Sequence, residues 1–274
     1  MRIKMIGLDL DGTTLNSESR LTERTFEAFR KAYDMGTTIV IATGRAFTAV
    51  PQEIKSLESV EYIVTSNGAR ITERKTGKTI RESYIDSDVI VKIYELFMTL
   101  DPDIEIFFDG KAYIGKREYD AIMDGRNTVR RKEYVAASRI PVDDIFSLLL
   151  ENKGIIENIN VNYTLPEQKR QIEPLLKTID NVTLTSSYPL NNEFEGEGTS
   201  KGKAMEYIMG LKGFSKDEIM CIGDNPNDIE MIKFAGLGVA VENSEPIVKK
   251  FADYITLSND DDGVAAAIEK FVIK

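Results

Sequence analysis

The hydrophobic positions of this 274-residue chain form short apolar runs that end in polar loops. Three such runs open the chain, at Ile3–Leu8, Thr37–Ala42 and Tyr62–Thr65, and helical spacing predicts a helix over Thr22–Met35. Strands that are apolar along their whole length are typical of a parallel sheet with helices on both faces. The pattern therefore predicts a Rossmann-like α/β core, in which ligands bind beyond the carboxyl ends of the strands.

The pattern changes in the middle of the chain and then returns. Between residues 84 and 190 helical stretches alternate with hairpin signals, of which Asp109-Gly110 is the strongest. Hairpins mixed with helices predict an α+β module with antiparallel strands. The sequence thus predicts one core domain made of residues 1–83 and 191–274, with an inserted α+β cap at 84–190.

Acidic side chains follow two of the apolar runs. Asp9 and Asp11 come after the first run, and Asp224 comes after a later one, Ile219–Ile222. In an extended chain Asp9 and Asp11 point the same way, so a metal ion, a shared proton or both must offset their repulsion. An ordinary solvated turn is the simpler interpretation. If the two strands are neighbours, three carboxylates converge, which describes a Mg²⁺ site that keeps waters and a phosphate oxygen.

Three further positions have a structural interpretation, and two of them, Lys201 and Thr43-Gly44, also have a functional one. Lys201 begins a predicted helix, where a cation opposes the helix dipole, so it is either solvated or paired with an anion. Thr43-Gly44 ends a strand and forms either a plain turn or a contact to a phosphate oxygen. Asp228 lies in the first turn of a predicted helix, where a carboxylate complements the dipole.

The composition excludes several kinds of chemistry. The chain has no histidine, which removes Ser-His-Asp catalysis and histidine-bound zinc. Its single cysteine, Cys221, allows no intrachain disulfide and fits a reducing compartment. A net charge of −10 argues against nucleic-acid binding, and no apolar run approaches the roughly 20 residues that span a bilayer. We therefore expect a cytoplasmic protein with no nucleic-acid or membrane partner, and the sequence specifies no oligomeric state.

Motifs in a fixed order give the most specific signal in the chain. They are Asp9-Leu10-Asp11-Gly12-Thr13, Thr43-Gly44, Lys201 and Gly223-Asp224-Asn225-Pro226-Asn227-Asp228. In order and spacing this set resembles the four motifs of the haloacid dehalogenase (HAD) superfamily. Asn67-Gly68-Ala69, Ser200-Lys201-Gly202 and the long insert after the third strand resemble its Cof-type branch of metabolite phosphatases.

The resemblance implies a role for each matching residue. Asp9 would be the nucleophile that forms an aspartyl-phosphate, and Asp11 would be the general acid and then the general base. Mg²⁺ would be held by Asp9, the backbone carbonyl of Asp11, and Asp224. Asp228 would position Lys201 and a water on the metal. The phosphoryl group would be held by Leu10, Thr43, Gly44, Lys201 and Asn227.

The implied activity is that of a Mg²⁺-dependent phosphoric monoester hydrolase. Its substrate would be a small phosphorylated metabolite, such as a sugar phosphate, a nucleotide or a phosphorylated cofactor, and the insert would be a lid that selects it. A sugar phosphomutase of the same fold is one alternative. The other is a phospho-relay receiver, a signalling module that also clusters strand-end Asp, Thr and Lys around Mg²⁺ but has no inserted domain.

Overall fold

The structure is a computed structural model that describes residues 2–273. Its strands form two sheets, and in chain order they are β1 Met5–Asp9, β2 Thr38–Ala42, β3 Val60–Thr65, β4 Arg70–Glu73, β5 Thr79–Glu82, β6 Asp103–Phe108, β7 Lys111–Gly115, β8 Ile140–Val142, β9 Asn158–Asn162, β10 Val182–Thr185, β11 Asn191–Gly196, β12 Ile219–Gly223, β13 Leu237–Ala240 and β14 Tyr254–Ile255.

The α-helices range from four to 14 residues in length. They are α1 Glu23–Asp34, α2 Gln52–Ser56, α3 Ser87–Leu100, α4 Lys116–Met123, α5 Lys132–Ser138, α6 Ile145–Glu151, α7 Pro166–Leu176, α8 Lys201–Lys212, α9 Ile229–Phe234, α10 Pro246–Lys249 and α11 Gly263–Ile268. Within residues 2–273 we find no helix with the length and apolar character needed to cross a membrane.

The chain divides into two structural units, the first of which contains the eight-stranded sheet. This unit comprises the residues up to Thr43, Pro51–Arg81, and the residues from Ser200 onward. The strand order is β14-β13-β12-β1-β2-β3-β4-β5. The six strands from β14 to β3 run parallel to one another, and β4 pairs with β3 in the antiparallel direction. The strands are buried along almost their whole length, as expected for a parallel sheet. The predicted α/β class of the core is confirmed.

One face of this sheet packs against α8 and α9. Met5 and Cys221, on neighbouring strands, lie in the same buried cluster as Met205 of α8 and Met231 of α9. Burial raises the pKa of the Cys221 thiol to about 12, so the thiol stays protonated and Cys221 is a core residue. Because β1 is enclosed on both faces, its last residue, Asp9, is held at the end of a rigid element.

The second unit contains the six-stranded sheet and comprises Gly44–Val50 and Glu82–Thr199. Its strand order is β10-β11-β9-β6-β7-β8, with antiparallel pairing except between β7 and β8. This is the predicted α+β architecture of the insert. The unit extends beyond residue 190, where the sequence placed the boundary, because β11 pairs with β9 and β10.

The second unit also contains a buried ionic cluster. Glu105 accepts a hydrogen bond from Nε of Arg139 at 2.9 Å and pairs with Arg130. Burial alone would raise the pKa of Glu105, but the two guanidinium groups outweigh it and lower the pKa. Glu118 lies 3.7 Å from Arg130 and its oxygens accept no hydrogen bond within the described residues. Burial, and then the charge of Glu105, raise the pKa of Glu118 to about 8.

We predict that Glu118→Gln stabilises the protein at pH 8. As pH rises from 4.5 to about 8, the unfolded chain loses the Glu118 proton while the folded chain keeps it. Stability therefore falls over this range, and a neutral glutamine removes the loss. In thermal unfolding, the Tm of the variant should exceed that of the wild type by several degrees at pH 8, with no difference below pH 4.5.

Glu105→Gln is the matched substitution, and we expect it to change the Tm in the opposite direction. The lowered pKa of Glu105 means that its charged form stabilises the folded chain above its usual pKa, so this variant should have a lower Tm at pH 8. A Glu118→Gln variant that unfolds below the wild-type Tm at pH 8 would contradict our account of the cluster.

Candidate active site

Polar residues from three distant parts of the chain meet at the carboxyl edge of the parallel sheet. Strand β1 pairs with β12 on one side and with β2 on the other. Asp9 is the last residue of β1, Asp224 follows β12 directly, and Thr43 follows β2 directly. The strand order therefore places Asp224 and Thr43 on either side of Asp9, at the edge where parallel sheets bind ligands.

Three buried carboxylates form a group at this edge. One oxygen each from Asp9, Asp224 and Asp228 lie within 4.8 Å of one another, and the three side chains are buried. The group contains Asp228 in place of the Asp11 carboxylate, which belongs to an exposed residue. Strand β1 ends at Asp9, so the side-chain alternation that aligned Asp11 with Asp9 in our prediction stops before Asp11.

Lys201 lies between two of these carboxylates. Its ammonium is 2.5 Å from Oδ1 of Asp9 and 2.7 Å from Oδ1 of Asp228, and the residue is only 1% exposed. Burial by itself would lower the pKa of Lys201, but Asp228 and Asp9 raise it above its usual value. Lys201 therefore remains charged, and it is paired with anions and not solvated.

Asp228 fixes both the lysine and the loop after β12. Its Oδ1 accepts from Lys201, while its Oδ2 accepts the backbone N–H groups of Asp224 at 2.9 Å and Asn225 at 3.0 Å. Such charge-assisted bonds are among the strongest hydrogen bonds in proteins. The carboxylate of Asp228 thus orders the residues around it, which is more than the helix-dipole interaction suggested by its position.

Asp224 is oriented by two side chains whose roles the sequence did not reveal. The Thr13 hydroxyl donates to Oδ1 at 2.6 Å, and the Asn225 amide donates to Oδ2 at 2.7 Å. Gly12 has φ +77°, and a Cβ there would lie 2.7 Å from Oδ2 of Asp224, so this close approach requires glycine. Burial, and then the charge of Asp228, raise the pKa of Asp224 to about 7, although the hydrogen bond from Thr13 acts to lower it.

The residues at this edge fit a divalent cation. Three carboxylates face one ammonium, so the group is short of positive charge, and burial together with Asp228 raises the pKa of Asp9 well above its usual value. The donor atoms are oxygens, the ligand type preferred by Mg²⁺. Asp9 ends β1 and Asp224 follows the neighbouring strand β12, so these two carboxylates lie side by side where an ion could be held. Asp228 instead accepts hydrogen bonds from Lys201 and from two backbone N–H groups.

The remaining predicted residues lie in loops at the ends of these strands. Thr43 is buried, and its N–H donates to the carbonyl of Val64 at 2.9 Å. Leu10 is buried directly after Asp9, and Asn227 lies in the 3₁₀ turn Pro226–Asp228 after β12. Gly44 begins the segment that groups with the second unit.

Comparison of the sequence with known proteins identifies the family to which this chain belongs. The chain is a member of the haloacid dehalogenase-like hydrolase family, which its sequence matches over residues 6–268. It is 30% identical over 271 residues to 5-amino-6-(5-phospho-D-ribitylamino)uracil phosphatase YcsE of Bacillus subtilis, with 99% of this chain and 96% of that protein covered.

Solved structures of the same superfamily cover 98% of this chain. A haloacid dehalogenase-like hydrolase from B. subtilis has 26% identity and a TM-score of 0.84, covering 98% of this chain and 100% of its own. The phosphatase BT1666 from Bacteroides thetaiotaomicron has 27% identity and a TM-score of 0.79, and the match covers 98% of this chain and 95% of BT1666. The predicted family and enzyme class are confirmed: the chain is a HAD-superfamily phosphatase, which argues against the receiver alternative.

We predict that Lys201→Met destabilises the protein by about 3–5 kcal/mol, the cost of breaking a buried ion pair from one side. Methionine has a similar length but leaves the charges of Asp9 and Asp228 unbalanced. The double variant Lys201→Met/Asp228→Asn should recover part of the loss, because it removes one of the stranded charges. Urea unfolding in metal-free buffer measures both effects.

Lys203→Met is the matched control, two residues along the same helix. The Lys203 side chain is 55% exposed and pairs with Glu206 at 2.8 Å. Exposed pairs of this kind contribute about 0–1 kcal/mol. Equal losses of stability in the Lys201 and Lys203 variants would contradict the assignment of Lys201 as the buried counter-ion.

Proposed function

We propose that this protein is a Mg²⁺-dependent phosphatase that hydrolyses a small phosphorylated metabolite through an aspartyl-phosphate on Asp9. The observation that carries the proposal is the buried group of Asp9, Asp224 and Asp228 around Lys201, at the carboxyl ends of adjacent parallel strands. Phosphoryl transfer depends mainly on positioning and charge neutralisation. A carboxylate on a rigid strand end, next to a fixed cation, supplies both.

The reaction has two steps, and the protein returns to its starting state. A carboxylate oxygen of Asp9 attacks phosphorus, the bond to the leaving oxygen breaks, and Asp11 gives that oxygen its proton. Asp11, now ionised, takes a proton from water, whose oxygen attacks phosphorus and releases Asp9 and inorganic phosphate. Asp11 suits this task because, unlike Asp9, its residue is exposed, so water can reach its carboxyl group.

The phosphoryl oxygens would be held by hydrogen-bond donors around Asp9. We assign this role to the backbone N–H groups of Leu10 and Gly44, the Thr43 hydroxyl, the Lys201 ammonium and the Asn227 amide. Lys201 is fixed by its two carboxylates, so it needs little rearrangement to meet an anion. Donors fixed before the reaction stabilise developing charge more effectively than mobile ones.

Mg²⁺ would be held by Asp9, the backbone carbonyl of Asp11, and Asp224, and when bound it would neutralise charge on the phosphoryl oxygens. Asp228 would not bind the metal directly but would position Lys201 and Asp224, because it accepts hydrogen bonds from the Lys201 ammonium and from the N–H of Asp224.

We assign the choice of substrate to the second unit. Apart from Gly44, the site residues discussed above all belong to the first unit, so the second unit is free to differ between enzymes with the same chemistry. The relative named as a phosphatase of a phosphorylated ribitylaminouracil puts phosphorylated polyols first among the compounds to test, followed by sugar phosphates, nucleotides and phosphorylated cofactors. Release of inorganic phosphate supports the proposal. A second phosphorylated product in place of inorganic phosphate would instead identify a phosphomutase.

Asp9→Asn is expected to lower kcat for p-nitrophenyl phosphate by about 10³-fold or more, as removal of a nucleophile does. Asparagine keeps the shape of the side chain but cannot form the acyl phosphate. Circular dichroism checks that the variant is folded. Asp34→Asn, on the exposed face of α1, is the control and should retain wild-type kcat. An Asp9→Asn variant that keeps most of its activity would rule out Asp9 as the nucleophile.

Mg²⁺ should raise the Tm of the wild-type protein, because a ligand that binds only the folded state stabilises it, by about 2.7 kcal/mol at 100 times its Kd. Asp224→Asn should reduce or abolish this shift, and chelation with EDTA should abolish hydrolysis until Mg²⁺ is restored. Asp34→Asn should keep the full shift. If Asp224→Asn also keeps it, Asp224 is not a metal ligand.

A further inference from the structure

The loop that follows β3 has an unusual backbone conformation. Ser66, Asn67 and Gly68 all have positive φ, at 49°, 53° and 108°. Residues other than glycine rarely adopt this region, and each such residue costs on the order of 1–3 kcal/mol. All three are buried, with Ser66 at 0% and Asn67 at 2% exposed. Their surroundings must therefore hold them in this conformation, a situation that is concentrated at functional sites.

This loop contacts three of the segments proposed to bind the phosphoryl group. The N–H of Asn67 donates to the carbonyl of Thr43 at 3.1 Å. The Asn227 amide donates to Oδ1 of Asn67, also at 3.1 Å. Gly68 lies against the residue before Lys201, because a Cβ at Gly68 would be only 2.3 Å from the carbonyl oxygen of Ser200. Asn67 and Gly68 thus lie between the ends of β2, α8 and β12.

The hydrogen bond between the two asparagines fixes the direction of a donor. The Asn227 amide has two N–H groups, and the bond to Asn67 uses one of them and fixes the plane of both. Without Asn67, this partly buried side chain could rotate about its terminal bond. A phosphate oxygen gains most from a donor whose orientation is set before binding.

We propose that Asn67 is a positioning residue that orients the Asn227 amide toward the phosphate. The proposal rests on the function proposed above, in which Asn227 contacts the phosphoryl group. Asn67 touches no reacting atom in this account and acts only through Asn227. Asparagine suits the position for two reasons: its side chain supplies the acceptor, and it tolerates positive φ better than most residues.

A double-mutant cycle with Asn67→Gly and Asn227→Ala tests the proposal. Glycine adopts positive φ readily, so Asn67→Gly removes the acceptor and leaves the loop unstrained. Each single variant should lower kcat/KM for p-nitrophenyl phosphate by about tenfold, typical of one lost hydrogen bond to a charged group. Each should also raise the inhibition constant of inorganic phosphate. The double variant should be no worse than Asn227→Ala alone, because Asn67 then has nothing to orient.

Losses that multiply in the double variant would overturn the proposal, because they would mean that Asn67 acts independently of Asn227. A wild-type protein that releases no phosphate would instead refute the proposed function, so the two failures are distinguishable. Asn181→Gly is the matched control: Asn181 is exposed, has φ 61°, and should tolerate the same change with unaltered kinetics. If Asn67→Gly does not fold, the same cycle uses Asn67→Ser, whose shorter side chain also lacks the amide acceptor.

Discussion

A lysine ammonium removed from water is the constraint on which the site depends. Lys201 can remain charged and buried only because Asp9 and Asp228 contact it, and these carboxylates can be buried together only because Lys201 lies between them. Neither sign of charge is stable there alone. The end of β1, the start of α8 and the loop after β12 must therefore come together in the same folded structure.

Hydrogen bonds extend this electrostatic core outward in a continuous chain. Asp228 holds the N–H of Asp224, and Asp224 is held in turn by Thr13 and Asn225. Each carboxylate oxygen of Asp224 and Asp228 has a donor of its own, which limits the motion of the group before any ligand arrives. The site is thus assembled by folding, and binding has little ordering entropy to overcome.

The sequence predicted the features that depend on local pattern, and it missed those that depend on pairing between distant segments. Apolar runs predicted strands of the parallel sheet, with Asp9 and Asp224 at the ends of two of them and Lys201 at the start of a helix. The predicted boundary at residue 190 falls just before strand β11, Asn191–Gly196, whose sequence is mostly polar although every residue in it is buried. Its amides and carboxylates have partners on β9, such as Asn158 bonded to Glu195, which periodicity does not reveal.

The pairing of β1 with β12 also constrains how the molecule is made. Met5 lies opposite Ile219, so the strand that ends in Asp9 leaves the ribosome roughly 10–40 s before its neighbour, at about 5–20 residues per second. Meanwhile the continuous stretch Glu82–Thr199 is complete and can fold first. Pairings this distant in sequence are slow to form. An unpaired apolar edge therefore persists during synthesis, which makes the nascent chain a candidate for chaperone binding.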